Sequence, residues 1–154
     1  VTLAPPTPGD VMHHELNGET LYAKDGAFLA ASAEVDVDSE LGGLKSMIAG
    51  AGLTPLALKG TGTAFVDAFG GLESVELGQG ERYVVDNEHV VAWDDRVEFE
   101  TRTVGGLKSS VLGGEGVVFE YTGPGTVWYQ TRDFDGFVSL IHDMLPSNAG
   151  PQNA

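Results

Sequence analysis

The stretch GGLKSSVLGGEGVVFEYTGPGTVWYQT, residues 105–131, decides the fold. A diverged copy, GGLKSMIAGAGLTPLALKGTGTAFVDA, occupies residues 42–68, which lie 63 positions earlier. Glycines recur at matching places in the two copies, as when Gly62 of the first aligns with Gly125 of the second. Recurrence favours architecture over a phosphate-binding site. We therefore interpret the glycines as points where the backbone turns between strands.

The repeat continues towards the N-terminus at an offset of 62, where residues 17–37 align with residues 79–99. A single inserted residue accounts for the change of offset. In-order matches with one gap indicate two copies of one supersecondary unit. The sequence predicts module one at residues 11–77 and module two at residues 78–131.

Each module contains segments typical of β-strands. ETLYAK and AFLAA flank Asp25 and Gly26, and this predicts a hairpin with positive φ angles in its turn. RYVVD and HVVAW flank Asn87-Glu88 in the second module, and they predict a second hairpin. TGPGT predicts a third hairpin through a type II turn, with Gly125 at positive φ.

Two further segments, EVDVDSE and RVEFETR, alternate apolar and charged residues, as half-buried strands do. The alternation predicts that one set of side chains faces inward: Val35, Val37, Val97 and Phe99. It predicts that the intervening carboxylates face water: Glu34, Asp36, Glu98 and Glu100.

A helix is predicted at DFDGFVSLIHDML, residues 133–145, with Phe137, Ile141, Met144 and Leu145 spaced for one face. Pro146 ends this helix, and residues 146–154 are expected to form a disordered tail. The predicted fold is all-β: one antiparallel β-sandwich domain over residues 1–145, built from two tandem modules, with a short C-terminal helix.

The charge of the chain disfavours several classes of partner. Eight Lys and Arg residues stand against 23 Asp and Glu residues, a formal net charge of −15. Such a polyanion repels nucleic acid and anionic membrane surfaces. A scattered acidic surface would suit a salt-rich cytoplasm, and we hold a halophilic source as a hypothesis.

The sequence has no cysteine, which excludes disulfides and thiolate chemistry. No apolar run reaches the length of a transmembrane helix, and a cytoplasmic location is expected. The N-terminus, VTLAPPTPGD, lacks both an initiator Met and a signal-peptide pattern, so it reads as a chain entered partway or processed.

Four segments together resemble a known family: LNGETLYAKDGAFLAAS, VVDNEHVVAWDDRVEF, VGGLKSSVLGGEGVVFEYTGPGTVWYQTR and the terminal helix. They are similar to the altered-inheritance-of-mitochondria protein 24 family, which is named for a yeast mitochondrial member. The resemblance implies a β-sandwich like that of the tryptophan RNA-binding attenuator protein, which assembles into rings or trimers. Family members resemble three tandem modules, and this chain matches the second and third. The resemblance implies no catalytic residues.

Histidines and carboxylates give no convincing metal site. His13 and His14 are neighbours on a strand and would point to opposite faces, so they do not easily share one ion. His89 and His142 have no further ligand at suitable spacing. An acidic row is better explained as a solvated strand face than as a calcium site, because a straight strand spreads its carboxylates apart. Its members are Glu34, Asp36, Asp38 and Glu40. Asp94-Asp95 is explained by turn chemistry.

Nucleophile and nucleotide motifs are also missing. Lys45 and Lys108 lie in GGLKS rather than in a phosphate-loop pattern, and a structural role for them is favoured. Ser109, Ser110 and Thr126 belong to no nucleophile elbow.

Aromatic residues offer one further candidate, a ligand platform formed by Trp93, Tyr121, Trp128 and Tyr129. Alternation places Trp128 and Tyr129 on opposite faces, one in the core and the other available for a subunit contact.

The leading hypothesis from sequence is a non-enzymatic protein that self-associates as a trimer or ring and serves as a structural or interaction module. No catalytic, cofactor-binding or metal residue is assigned. The alternative is a small-ligand binding protein or weak hydrolase with a pocket between the modules, and an unknown protein partner remains open. Nucleic-acid binding is a third option, which the acidic charge disfavours.

Overall fold

A computed structural model describes residues 2–39, 53–103 and 117–145. Within these residues the chain forms ten strands and one α-helix. The strands are β1 (Val11–Lys24), β2 (Phe28–Ala31), β3 (Val35–Asp38), β4 (Pro55–Asp67), β5 (Leu72–Leu77), β6 (Arg82–Asp86), β7 (Val90–Asp94), β8 (Glu98–Thr103), β9 (Val117–Thr122) and β10 (Gly125–Gln130). The helix is α1 (Phe134–Met144).

The described strands pair antiparallel in two sheets. The larger has seven strands in the order β2-β4-β1-β7-β10-β5, with β3 also paired to β4. The smaller has three strands in the order β6-β9-β8. The predicted all-β, antiparallel class with a short C-terminal helix is confirmed. Both copies of GGLKS, which the repeat rests on, lie outside the described residues.

Strand β4 pairs with other strands of the larger sheet along both of its edges. Along one edge it pairs with β1 over nearly its whole length, from Val11 opposite Asp67 to Lys24 opposite Pro55. Along its other edge it pairs first with β3 and then with β2. Gly60 has a φ of 122°, a conformation that side chains other than glycine rarely adopt, and it bends the strand without ending it.

The three predicted hairpins do not form. β1 and β2 both pair with β4 instead of with each other, and Asp25–Ala27 makes a short 3-10 turn between them. Gly26 does not have the positive φ angle that the predicted hairpin turn requires. A 3-10 turn at Asn87–His89 likewise separates β6 from β7, which lie in different sheets.

The third connection also crosses between sheets. β9 belongs to the smaller sheet and β10 to the larger one, so the expected hairpin around TGPGT is wrong. Gly125 does have the predicted positive φ, 140°. A Cβ at Gly125 would meet the side chains of Val97 and Asp94, so the chain passes closely against the end of β7 and the connection that follows it.

Two clusters of buried apolar residues form the core, and the first of them joins the two sheets. The first centres on aromatic side chains, chiefly Trp93, Phe99, Phe119 and Tyr121. The second is aliphatic and includes Leu16, Leu21, Leu58, Val66 and Val91. Burial on this scale supplies the main driving force for folding.

The inward set predicted from alternation is right for Val35, Val97 and Phe99, which are buried. It is wrong for Val37, which is 40% exposed. Val37 lies on β3, an edge strand that pairs only with β4 among the described residues, so less of the fold covers it.

Trp128 and Tyr129 pack against different clusters, Trp128 on the aliphatic one and Tyr129 on the aromatic one. This agrees with the prediction that the two side chains lie on opposite faces of the strand. Both side chains are half-buried in the protein, so neither is the exposed residue that the subunit-contact hypothesis required.

Helix α1 begins after Asp133, and the Asp133 carbonyl accepts a hydrogen bond from Phe137 N at 3.1 Å. It ends at Met144, one residue short of the predicted end. Pro146 and the expected tail lie outside the described residues.

Candidate functional site

A pocket of about 650 Å³ lies where the two halves of the chain meet the C-terminal helix. Lys24 and Ala27, from the end of β1 and the turn after it, contribute one side, together with Pro6 and Pro8 of the N-terminal segment. Asp67 and Phe69 contribute from the end of β4. The second half contributes Glu88, Val90 and Gln130, and the helix contributes Phe134, Asp135 and Phe137. This volume lies within the range typical of small-molecule sites.

Gln130 fixes the polar side of the pocket. Its Oε1 accepts a hydrogen bond from Phe69 N at 2.9 Å, and its Nε2 donates to the Glu88 carbonyl at 2.8 Å. The Gln130 carbonyl lies 2.7 Å from His89 Nδ1. Because both ends of the amide are occupied by backbone groups, Gln130 ties the strand ends of the two halves together.

Lys24 reaches from β1 to the 3-10 turn of the second half. Its Nζ lies 3.3 Å from Glu88 Oε2 and 3.5 Å from the Asn87 carbonyl. Both charged side chains are largely covered, with 24% of Lys24 and 36% of Glu88 exposed. The single positive charge among the described lining residues is therefore paired with Glu88.

Asp67 is the unusual group of the pocket. Its side chain is only 5% exposed at the end of β4. Among the described residues, no other side chain gives its carboxyl a hydrogen bond or an ion pair. Burial raises the pKa of the Asp67 carboxyl, while a hydrogen bond from its own backbone N–H acts in the opposite direction. A buried carboxylate without a cationic partner costs free energy in the folded protein.

Three phenylalanine rings form the apolar wall. Phe69 meets Phe134 edge-on, with ring centroids 5.5 Å apart and planes at 87°. It meets Phe137 at 5.4 Å with planes at 48°. These are favourable aromatic geometries, and they attach helix α1 to the sheet at the pocket mouth.

A second hollow of about 370 Å³ lies beside the aromatic cluster. It is lined by Tyr22 and Trp93, whose rings stack at 5.6 Å, and by the carboxylates of Asp95, Glu98 and Glu100. Nearby in the same cluster, burial raises the pKa of Tyr121 well above its ordinary value, which keeps the phenol neutral. The Tyr121 hydroxyl and Trp93 Nε1 are buried without a hydrogen-bond partner in the described part of the chain.

The predicted ligand platform is split by the fold. Trp93 and Tyr121 are buried together with ring centroids 5.8 Å apart, and Tyr129 packs at the edge of their cluster. Trp128 instead meets His14 edge-on at 5.4 Å. The four rings therefore present no common surface.

The histidines are separated, as the sequence indicates for His13 and His14. His13 faces Phe65 at 6.4 Å between ring centroids, whereas His14 faces Trp128. His89 lies against the Gln130 carbonyl, and His142 is 85% exposed. In residues 2–39, 53–103 and 117–145, no three His, Asp or Glu side chains converge in a metal-binding group.

The acidic row on β3 behaves as a solvated face where it is described, since Glu34 and Asp36 are exposed. Asp38 forms an ion pair with Lys59 at 2.9 Å. Glu40 lies outside the described residues, as do Lys45, Lys108, Ser109 and Ser110.

Asp94 and Asp95 have bonding roles at the end of β7. Asp94 Oδ2 accepts a hydrogen bond from Thr126 N at 2.7 Å, and Asp95 Oδ2 accepts one from Thr20 N at 2.9 Å. Thr126, considered as a nucleophile from sequence, is thus a strand residue bonded to Asp94 through its backbone.

Sequence reasoning missed Asp67 and Gln130. Asp67 had one signal, a single carboxylate in the otherwise apolar run AFVDAF at residues 64–69. Gln130 had none, because a polar residue at a strand end is ordinary. Its role depends on Glu88 and Phe69, which lie 42 and 61 residues away in the chain.

Known proteins are similar to this chain in sequence and fold. The family described as "Mitochondrial biogenesis AIM24" matches residues 1–132. An uncharacterised protein of Streptococcus pyogenes serotype M6 is 29% identical over 151 residues, which are 97% of this chain and 60% of that protein. A Streptococcus pyogenes protein solved by X-ray crystallography is 30% identical, with a TM-score of 0.77 over 92% of this chain and 63% of that one. The chain thus spans less than two thirds of the length of either relative.

Over the described part of the chain, the structure contains no helix of the length and apolarity needed to span a bilayer.

Proposed function

The chain belongs to the mitochondrial biogenesis AIM24 family, and we propose that it acts as a non-enzymatic protein that self-associates and serves as a structural or interaction module. The observation that carries this proposal is the uncovered apolar face of helix α1. A trimer or ring, the assembly that the fold resemblance implies, is the form we propose.

Helix α1 exposes an unusual number of large apolar side chains. Each of those on the helix, and Leu145 directly after it, is between 43% and 76% exposed: Phe134, Phe137, Val138, Leu140, Ile141, Met144 and Leu145. No residue of α1 is buried, and Phe134 and Phe137 make ring contacts with Phe69. Soluble proteins rarely leave a contiguous apolar patch open, and such patches mark interaction surfaces.

A second copy of the chain is the occupant we propose for this face. Along the helix, Phe134, Phe137, Val138 and Ile141 follow the spacing of one stripe, with Ser139 on the other side. In a trimer, the same helix from each of three copies packs its stripe around the three-fold axis, so one surface patch serves every partner. The formal net charge of −15 opposes the approach of two copies, so added salt should strengthen the association.

We also propose that residues 11–77 and 78–131 are tandem modules of one origin. The pairing registers support this. Ala30 lies opposite Phe65 in the β2–β4 pair, and Ala92 lies opposite Trp128 in the β7–β10 pair. The first members are 62 positions apart and the second members 63, the same offsets that relate the sequences.

A further pair of ladders follows the same rule. Thr20 pairs with Lys59 in the β1–β4 ladder, and Arg82 pairs with Thr122 in the β6–β9 ladder. An interaction protein built by duplication has two similar surfaces, which suits closed assembly with further copies.

Sedimentation velocity over a wide protein range, in about 0.1 M and about 2 M KCl, tests self-association. The wild-type chain should sediment as an oligomer, more completely at high salt. Ile141→Glu and Val138→Glu should shift it to monomer, because each places a charge in the apolar stripe. Ser139→Glu is the matched control on the opposite side and should leave the mass unchanged. A wild-type chain that stays monomeric in both salts refutes the proposal.

The pocket beside Asp67 supports a second candidate function, small-ligand binding between the two halves. Its volume, its aromatic wall and its buried carboxylate are the features expected of a binding site. The described lining residues include no Ser, Cys or Thr nucleophile paired with a histidine base, so we place binding ahead of hydrolysis.

A further inference from the structure

We propose that the pocket beside Asp67 binds a small organic cation, namely a primary amine carried on an apolar chain or ring. This inference rests on the proposed ligand-binding function and assigns its ligand class. It follows from three observations: a buried carboxylate that no cation pairs with among the described residues, an aromatic wall, and a negative balance of charge among the lining residues.

The carboxylate provides the anchor. Asp67 is 95% buried and lines the pocket, yet among the described residues no cation pairs with it. Lys24 lines the same pocket, but its ammonium contacts Glu88 at 3.3 Å and the Asn87 carbonyl. The ammonium group of a ligand would donate to Asp67 a charge-assisted hydrogen bond, which no described side chain of the protein donates. Such bonds are stronger than those between neutral groups.

The aromatic wall accommodates the remainder of the ligand. Phe69, Phe134 and Phe137 pack against one another on one side of the cavity, and their faces attract cations as well as apolar groups. A volume of about 650 Å³ holds a ring or short chain together with its amine.

The charge of the lining disfavours the opposite ligand class. Three acidic residues, Asp67, Glu88 and Asp135, are among the described lining residues of the pocket, against the single basic residue Lys24. A carboxylate or phosphate ligand would meet net repulsion there. A neutral apolar ligand would exclude water from Asp67 and leave the charge more poorly solvated than before.

Bare metal ions are also disfavoured. Within the described residues, Asp67 belongs to no group of three or more His, Asp or Glu side chains that could hold a metal ion. Hard cations require several oxygen ligands together, whereas one carboxylate and three phenyl rings suit an ammonium with an organic body.

Isothermal titration of the intact chain with three probes that share a phenethyl group tests the inference: phenethylammonium, 2-phenylethanol and 3-phenylpropionate. We expect the ammonium to bind at least about tenfold more tightly than the alcohol, and the carboxylate to bind most weakly. Asp67→Asn should abolish the advantage of the ammonium over the alcohol. Glu76→Gln, which removes an exposed carboxylate on β5 away from the pocket, should leave all three affinities unchanged.

The possible outcomes distinguish a failure of the cation inference from a failure of the proposed ligand-binding function. If the alcohol binds as tightly as the ammonium, and Phe137→Ser weakens both, then the pocket binds ligands but the cation inference is wrong. If Asp67→Asn leaves the ammonium affinity unchanged, the inference is also wrong. If no probe binds at about 10 mM, both the inference and the ligand-binding function fail. Circular dichroism of each variant confirms that it is folded.

Discussion

Arg102 Nη1 lies 2.8 Å from Glu120 Oε2 across the smaller sheet, and Arg82 reaches Oε1 of the same carboxylate at 3.2 Å. Glu120 is only 8% exposed, although both arginines are largely open to solvent. The two guanidinium groups therefore cover the carboxylate of the central strand and link all three strands of this sheet. A buried charge with two partners depends strongly on each of them.

Replacing Arg102 with Met should destabilise the fold by about 1–2 kcal/mol, because it leaves Glu120 with one guanidinium instead of two. The solvent exposure of Arg102 limits the effect to this range. Urea unfolding followed by circular dichroism measures the loss.

Lys59→Met is the matched control, since it breaks an exposed ion pair with Asp38, and it should cost less than about 0.5 kcal/mol. Adding Glu120→Met to Arg102→Met should recover part of the loss. Equal effects of Arg102→Met and Lys59→Met would contradict the special role of Glu120.

Asp67→Asn should stabilise the free protein at neutral pH by about 1 kcal/mol, which corresponds to a Tm increase of roughly 2–4 °C. The reason is the buried carboxylate, which pairs with no cation among the described residues and whose pKa burial raises above its ordinary value of 3.8. Thermal unfolding at pH 7 measures the gain.

The pH dependence of that gain has a defined sign. Because the folded pKa of Asp67 lies above the unfolded one, the folded chain holds the extra proton between the two values. The penalty of the charged form is therefore absent below the unfolded pKa and fully present above the folded pKa. The Tm advantage of Asp67→Asn should vanish as the pH falls towards about 3. A gain that is the same at pH 7 and pH 3 would contradict this, and Glu76→Gln provides the exposed-carboxylate control.

Gly60→Ala should destabilise the protein by more than about 2 kcal/mol. A Cβ at Gly60 would overlap the Glu34 carbonyl oxygen, and the φ of 122° is itself unfavourable for alanine. Gly26→Ala is the control, because nothing lies within 4 Å of its added Cβ. It should change the stability by no more than about 0.5 kcal/mol. Chemical denaturation of the two variants compares them directly, and similar losses would show that the bend at Gly60 tolerates a side chain.

Salt should raise the Tm of this chain, because 23 acidic residues face only eight basic ones and their mutual repulsion is screened by counterions. Calorimetry in about 0.1 M and about 2 M KCl provides the measurement. A Tm that does not change over this range would also remove the basis for a halophilic source.

The strand pattern and the helix could be predicted from the sequence, because both depend on local periodicity. Val35, Val97 and Phe99 were placed inside by alternation alone, and they are buried. The helix was predicted from its stripe of apolar residues and differs only at its ends.

The pairing of strands could not be predicted in the same way. Asp25 and Gly26 have the composition of a hairpin turn, yet the strands on either side both pair with β4, about 35 residues further along. The residue types of a turn indicate where a strand ends. Which other strand it pairs with depends on the burial of side chains that are distant in the sequence. Val37 is a second example. Alternation predicts which face of the strand its side chain lies on, but it does not predict that an edge strand leaves this side chain exposed.

The candidate pocket was anticipated only as a location between the two halves. Asp67 and Lys24 belong to one half and Glu88 and Gln130 to the other, so their meeting is a product of the fold. The residues next to Gln130 in the sequence do not indicate its hydrogen bond to the Glu88 carbonyl, because the two residues are 42 positions apart.

The crossing of the chain from β9 to β10 has a dynamic consequence. In the described residues no ladder joins the three-stranded layer to its larger neighbour, so that layer is held by side-chain packing around Trp93, Tyr121 and Phe119. Opening this layer would leave the backbone hydrogen bonds along β4 intact. Amide protons of β6, β8 and β9 should therefore exchange with deuterium as one cooperative group, ahead of those at the centre of β4.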